Sequence, residues 1–232
     1  MQIETATREQ LVEEVIRLRQ RNFALEALIK VIEIPKRMRQ FLEDTAVALS
    51  STTKAAEPYT GEHQRQVSIL APLIAEKMGL SETDQESCRI GGAIHDIGKI
   101  GAGVLSIVVL PRRLEDCEFD VIKLHPIVGH RILEAFACPW PLGEIALDHH
   151  EKFNGSGYPF GKDHTKLLTV TQVVTVADVV EAMSNARPYR KDTPGLERAL
   201  DYISDQSGIE FCPDCVDACI GVFDSGFRFS TN

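Results

Sequence analysis

Apolar and polar positions follow a helical period along most of the chain. Over residues 8–34, Leu11, Val15, Leu18, Asn22, Leu25, Ile29 and Ile32 recur at alternating intervals of four and three. That is a heptad seam, and it predicts one long helix stopped by Pro35, whose ring cannot continue it. Branched residues and one asparagine fall at the a positions (Val15, Asn22, Ile29), and leucine takes most d positions, which is the pattern of a parallel pair. Residues 1–36 are therefore expected to form an N-terminal helix that makes a homodimer through residues 8–34. An amphipathic helix lying on its own domain would carry a similar stripe.

Beyond Pro35 the period stays helical and strict alternation is rare. Helices are predicted over about 38–54, 61–79, 82–97, 116–123, 126–136, 142–151, 167–185, 195–206 and 213–224. Gly79-Leu80-Ser81 reads as a helix stop followed by an N-cap. The run Asn154-Gly155-Ser156-Gly157-Tyr158-Pro159-Phe160-Gly161 must be a loop. The fold class is all-α, with one domain over 37–232.

Composition narrows the function. Of 232 residues 44% are hydrophobic, enough for a self-sufficient core. The net charge of −9 argues against a protein that coats polymeric nucleic acid, because such binders draw affinity from neutralising phosphates. A small phosphorylated ligand in a local cationic pocket is compatible with it. Six scattered cysteines do not make a disulfide scaffold. No apolar run is long enough to span a bilayer, and the first residues lack a signal-peptide pattern. The expectation is a reduced, cytoplasmic protein with no membrane insertion.

Chemistry concentrates in the histidines. His95-Asp96 closes a helix, His125 opens one before Pro126, and His149-His150-Glu151 ends another just ahead of the glycine loop. Asp178 lies in Val173-Val174-Thr175-Val176-Ala177-Asp178-Val179-Val180, where burying an unpaired carboxylate would be costly. Imidazoles with carboxylates suit first-row transition ions better than magnesium or calcium. Cys212, Cys215 and Cys219 are spaced C-x2-C-x3-C but lack a fourth ligand, so they read as small buried hydrophobes.

Six ordered segments carry a resemblance. They are Tyr59-Thr60-Gly61-Glu62-His63, His95-Asp96-Ile97-Gly98-Lys99, His125-Pro126-Ile127-Val128-Gly129, His149 through Pro159, Ala177-Asp178-Val179-Val180-Glu181-Ala182-Met183, and Arg187-Pro188-Tyr189-Arg190. Across residues 57–229 they resemble the HD-GYP phosphodiesterases, a branch of the HD superfamily of metal-dependent phosphohydrolases. The resemblance implies an HD-type helical bundle that hydrolyses the bacterial second messenger cyclic di-GMP. It also implies two divalent transition-metal ions, iron or manganese first, with nickel, cobalt or zinc compatible. One metal would take His63, His95, Asp96 and Asp178. The other would take Asp96, His125, His149 and His150, with Asp96 as the bridge. Some members hold a third ion through a glutamate four residues before the first histidine; here that position is Tyr59, so two ions are expected.

On this expectation a water between the cations becomes the in-line nucleophile, opening the ring to pGpG and perhaps going on to GMP. Asp96 and Lys99 are the catalytic residues, with Lys99 stabilising charge on a phosphate oxygen. Arg187 and Arg190 would hold the other phosphate or a guanine edge. Gly157, Tyr158 and Pro159 would form a loop that lets the ligand approach, and Glu151 would stand behind a ligand histidine and orient its ring. His130 and His164 are expected not to be ligands. The segment 100–114 departs from the family pattern around Leu110-Pro111-Arg112. Other cyclic dinucleotides, such as cyclic GMP-AMP, remain open as substrates, as does a non-catalytic sensing or docking role beside a sensor or diguanylate cyclase partner.

Overall fold

The computed structural model describes residues 45, 58–100, 104, 107, 112, 114–184 and 194–229. The chain divides into two units, Met1–Leu42 and Glu43–Asn232, and every described residue belongs to the second. The heptad helix over 8–34, most of the predicted helix 38–54, most of the 100–114 segment, Arg187 and Arg190 lie outside the described residues.

Helix α1 (Pro58–Lys77) buries Gln66, Val67, Leu70, Ala71, Ile74 and Ala75, a stripe at helical spacing. It ends as the glycine pattern predicts. Gly79 takes a positive φ of 72°, and Leu80 N–H donates back to the Ala75 carbonyl at 3.0 Å. Ser81 then caps α2 (Glu82–Ile94), its side chain accepting from Asp84 N–H. Two glycines near the end of α2 set how closely it packs. A Cβ on Gly92 would lie 3.2 Å from the α1 backbone at Val67–Ser68, and one on Gly91 would strike Ile145. The missing Cβ atoms let α2 approach α1 and the later helices closely, and His95 follows directly after them.

The predicted helix 82–97 stops early, at Ile94, and a short 3-10 turn, Ile97–Ile100, follows. Next come α3 (Asp116–Ile122), α4 (His125–Glu134) and α5 (Leu142–Asp148). The turn packs on α4 backbone to backbone. A Cβ on Gly98 would collide with the His125 carbonyl and lie 2.5 Å from Gly129 N. Gly98→Ala is therefore expected to destabilise the fold by about 2 kcal/mol or more, because backbone must move to admit the methyl group. Gly79→Ala, with open space around its Cβ, should cost only the backbone strain of about 1 kcal/mol. Urea midpoints of the two variants check that order; equal midpoints would contradict it.

Helix α6 (Thr169–Ser184) runs through the centre, packed by α1, α2, α5, α7 (Leu196–Asp205) and α8 (Pro213–Asp224). Val170, Val173, Val174, Val176 and Val180 are all buried in it. Each β-branched residue costs up to about 0.7 kcal/mol of helix propensity, but burying a valine side chain returns about 1.5 kcal/mol or more, so packing decides. Among the described residues there is no strand; two isolated bridges, Asn154 with Asp163 and Ser207 with Phe211, are the β-type pairings. No described helix is long and apolar enough to cross a membrane. The core side of α8 contains Cys215 and Cys219, as the sequence suggests, whereas Cys212 stands half-buried at its N-cap.

Candidate metal centre

Three histidines are oriented by their own local backbone. Nδ1 of His95 lies 2.9 Å from the Gly92 carbonyl, Nδ1 of His125 lies 2.7 Å from that of Ile122, and Nδ1 of His149 lies 2.9 Å from that of Ala146. In each case the acceptor is three residues upstream, where a residue at or next to a helix end meets the preceding turn. A carbonyl only accepts, so each Nδ1 carries a proton, and in the neutral ring each Nε2 keeps a lone pair.

Those lone pairs converge. His125 Nε2 lies 3.2 Å from His149 Nε2, and Asp96 Oδ1 lies 3.2 Å from the first and 3.8 Å from the second. The other carboxylate oxygen, Oδ2, lies 3.5 Å from His95 Nε2. His95 Nε2 and Asp96 Oδ1 are buried with no hydrogen-bond partner. Acceptors facing acceptors away from water cost free energy unless a cation lies among them. Backbone-anchored imidazoles whose free nitrogens meet a carboxylate are the donor set of a first-row transition ion. The residues present thus fit the metals implied by the sequence.

The potential ligand atoms sort into two groups: His63, His95 and Asp178, and then Asp96, His125, His149 and His150, each within a 4.8 Å span. The His/Asp arrangement decides the family once it meets the sequence match: a model described as HD domain matches residues 38–213.

The chain belongs to the HD-domain family.

Among curated relatives, this HD domain is 34% identical over 207 residues to the cyclic di-GMP phosphodiesterase response regulator RpfG of Xanthomonas campestris pv. campestris, covering 88% of this chain and 53% of that protein. It is 37% identical over 180 residues to a cyclic di-GMP phosphodiesterase of Thermotoga maritima, covering 77% and 48%. It is 31% identical over 175 residues to the 3'3'-cGAMP-specific phosphodiesterase 3 of Vibrio cholerae, covering 75% and 38%. The chain thus spans about half or less of the length of these relatives. Among solved structures, an HDG"Y"P protein from Bdellovibrio bacteriovorus superposes with a TM-score of 0.58 at 16% identity, over 82% of this chain and 65% of that one. The HD domain of the L. monocytogenes phosphodiesterase PgpH, in complex with cyclic-di-AMP, gives 0.51 at 20% identity, over 79% of this chain and all of that one. At such identities the likeness establishes the helical fold.

The electrostatics of this HD domain divide along the same two groups. Burial, reinforced by His150 and the other rings, holds His149 well below the usual imidazole range, and burial lowers His95 and takes His150 down to about 3. These rings are neutral donors. His63 behaves oppositely. Burial would lower it, but its contacts with Asp178 (2.9 Å from Nε2) and Glu181 (at Nδ1) raise it to about 9. Burial would raise the carboxyls of Asp96 and Asp178, yet both stay well below the usual range, through Lys99 for the first and His63 for the second. Among the described residues, Asp96, Asp178 and Glu181 thus set three carboxylates against the cations of Lys99 and His63, a balance that favours a cation there.

Glu181 is the residue that the sequence reading passed over. It is one helical turn after Asp178 on a helix whose other residues carry no charge, the same signal that drew attention to Asp178. Thr175, a turn earlier, donates its hydroxyl to the His149 carbonyl at 3.0 Å and so ties α6 to that end of α5.

Lys99 reaches Asp96 Oδ2 at 2.5 Å across the 3-10 turn. In the glycine loop, Tyr158 stacks on His150 with ring centroids 4.7 Å apart, and burial followed by the charges of Asp96 and Asp178 pushes its hydroxyl upward. Pro159 follows through a cis bond. Gly157 serves the tight geometry of the loop. A Cβ there would lie 2.5 Å from the His150 carbonyl, Glu151 Cα and Lys152 N, so the glycine admits the chain's own backbone. Glu151 departs from expectation. Its carboxylate accepts Phe160 N–H at 2.7 Å and Lys162 N–H at 3.0 Å, holding the loop instead of a histidine ring. Neither His130 nor His164 joins a cluster; His164 stacks on Phe153.

Proposed function

We propose that this HD domain holds two divalent transition-metal ions and hydrolyses cyclic di-GMP to the linear dinucleotide pGpG, with GMP as a further product to be sought. The observation that carries this reading is the Asp96 carboxylate, with Oδ1 turned to His125 and His149 and Oδ2 to His95. In this reading Asp96 is shared, His63, His95 and Asp178 complete one site, and His125, His149 and His150 complete the other. Bound there, the ions would supply Lewis acidity toward a phosphate oxygen and a more acidic water as nucleophile. Iron or manganese is the first choice, and nickel, cobalt and zinc suit the same donors.

The side chains supply the rest. Lys99, whose ammonium already rests on Asp96 Oδ2, stabilises negative charge developing on the phosphodiester. Tyr158, fixed against His150, offers a ring for a guanine base, and Gly157 and Pro159 keep it in that place. Arg187 and Arg190 are assigned by the family resemblance to the second phosphate or a guanine edge. Residues 8–34 would pair two chains and pass on a signal from a sensor or a diguanylate cyclase partner.

A second reading keeps the site and changes the cycle. The Vibrio cholerae relative named for 3'3'-cGAMP is about as similar as those named for cyclic di-GMP. Metal-loaded protein offered both cycles in competition, with products separated by chromatography, distinguishes the two. Faster loss of cyclic di-GMP supports the main reading, and faster loss of 3'3'-cGAMP supports the second. No turnover of either, with both ions found by elemental analysis, overturns the enzymatic reading and leaves a docking role.

A further inference from the structure

The C-x2-C-x3-C run is resolved into two unlike environments. Cys215 and Cys219 are fully buried on the core face of α8, while Cys212 is half-buried at the N-cap, followed by Pro213. Cys212 also borders a small cavity beside Glu151, Phe153, Thr175 and Glu210. The sequence Cys212-Pro213-Asp214-Cys215 therefore sets a half-buried thiol at the start of a 12-residue helix and a buried thiol three residues on. An outer attacking sulfur and an inner resolving sulfur at a helix N-terminus are the two parts that thiol–disulfide exchange requires.

We propose that Cys212 and Cys215 form a redox site, oxidised reversibly to an intramolecular disulfide by a low-molecular-weight disulfide such as oxidised glutathione. The ionisation of the pair agrees with that division of labour. The adjacent Cys215 thiol, aided by the amides of Cys215 and Asp214, draws Cys212 down to about 6 against the effect of burial. The same hydrogen bond, followed by burial, pushes Cys215 upward and keeps its proton. Burial takes Cys88 and Cys219 up to about 12, which leaves them poor nucleophiles.

The exchange balances in two steps. The Cys212 thiolate attacks one sulfur of the glutathione disulfide, forming a mixed disulfide and releasing one glutathione thiolate. With the Cys212 sulfur no longer accepting from it, Cys215 loses its proton to solvent and attacks Cys212 Sγ, expelling the second glutathione thiolate. Two electrons leave the protein and two glutathione thiols are formed.

The test uses the full chain in glutathione buffers of rising oxidised fraction at neutral pH, followed by acid quench, thiol counting and peptide mapping. Two of the six thiols should be lost together, within the peptide holding residues 212–215, and return on reduction. Cys215→Ser should instead retain one glutathione on Cys212, and Cys212→Ser should leave Cys215 a free thiol. The inference is overturned if Cys117 and Cys138 react while the 212–215 peptide keeps both thiols, or if Cys212→Ser still loses a pair. Because thiols are counted directly, the result is independent of any phosphodiesterase activity.

Discussion

Asp96→Asn is expected to lower cyclic dinucleotide turnover by at least about a thousandfold, roughly 4 kcal/mol of transition-state stabilisation, while leaving the helical fold intact. Asparagine keeps the shape of the side chain but replaces one acceptor oxygen by an amide that only donates. Whichever way that amide turns, one of the two groups loses its oxygen and both lose the shared negative charge, because Oδ1 faces His125 and His149 and Oδ2 faces His95. The measurement is paired: initial rates with saturating metal, and bound metal by elemental analysis of the same samples. Asp178→Asn should weaken only the group with His63 and His95, so its metal loss should be partial where that of Asp96→Asn affects both ions. A variant at Asp96 with rates within tenfold of the parent and unchanged metal content would contradict the shared-carboxylate reading.

Glu181→Gln should weaken metal binding at the His63 group by about 10- to 100-fold, the usual cost of losing the partner behind a ligand histidine. Glutamine can still accept a hydrogen bond from His63 Nδ1–H, so the ring remains oriented. What disappears is the negative charge that makes the imidazole a stronger donor. The other group draws its ring contacts from main-chain carbonyls and Asp96, so its affinity should hold. Titration against a chelator resolves two classes of ion, and only one should shift. A uniform loss across both classes would mean that Glu181 acts through the general packing of α6, not through His63.

The histidines and Asp178 were legible in the sequence because their positions conflict with their surroundings. Dipeptides of His with Asp or His at helix ends, and a carboxylate among valines, demand a partner that apolar packing cannot provide. The boundary after His95 was harder. Periodicity carries the eye to residue 97, but His95 turns its ring back to the Gly92 carbonyl and the chain tightens into a 3-10 turn that delivers Lys99 to Asp96. Glu151 shows the limit of local reasoning. Its neighbours in sequence are candidate ligand histidines, yet its acceptors are met by amides nine and eleven residues away, once the glycine loop folds over it. Glu181 was within reach of the argument applied to Asp178 and needed only one more helical turn.

The main-chain anchoring of His95, His125 and His149 bears on how this centre would look in a saturation mutagenesis map. A carbonyl cannot be deleted by changing a side chain, so the groups that hold these three rings are invisible to substitution. Ile122 and Ala146 should register only their packing, and Gly92 only its closeness to α1. Among the described residues, the map would then report one side-chain anchor at a histidine Nδ1, Glu181 behind His63, where four rings are anchored through that atom. Three quarters of that support is written in backbone, where point mutation cannot erase it and drift in sequence cannot easily wear it away.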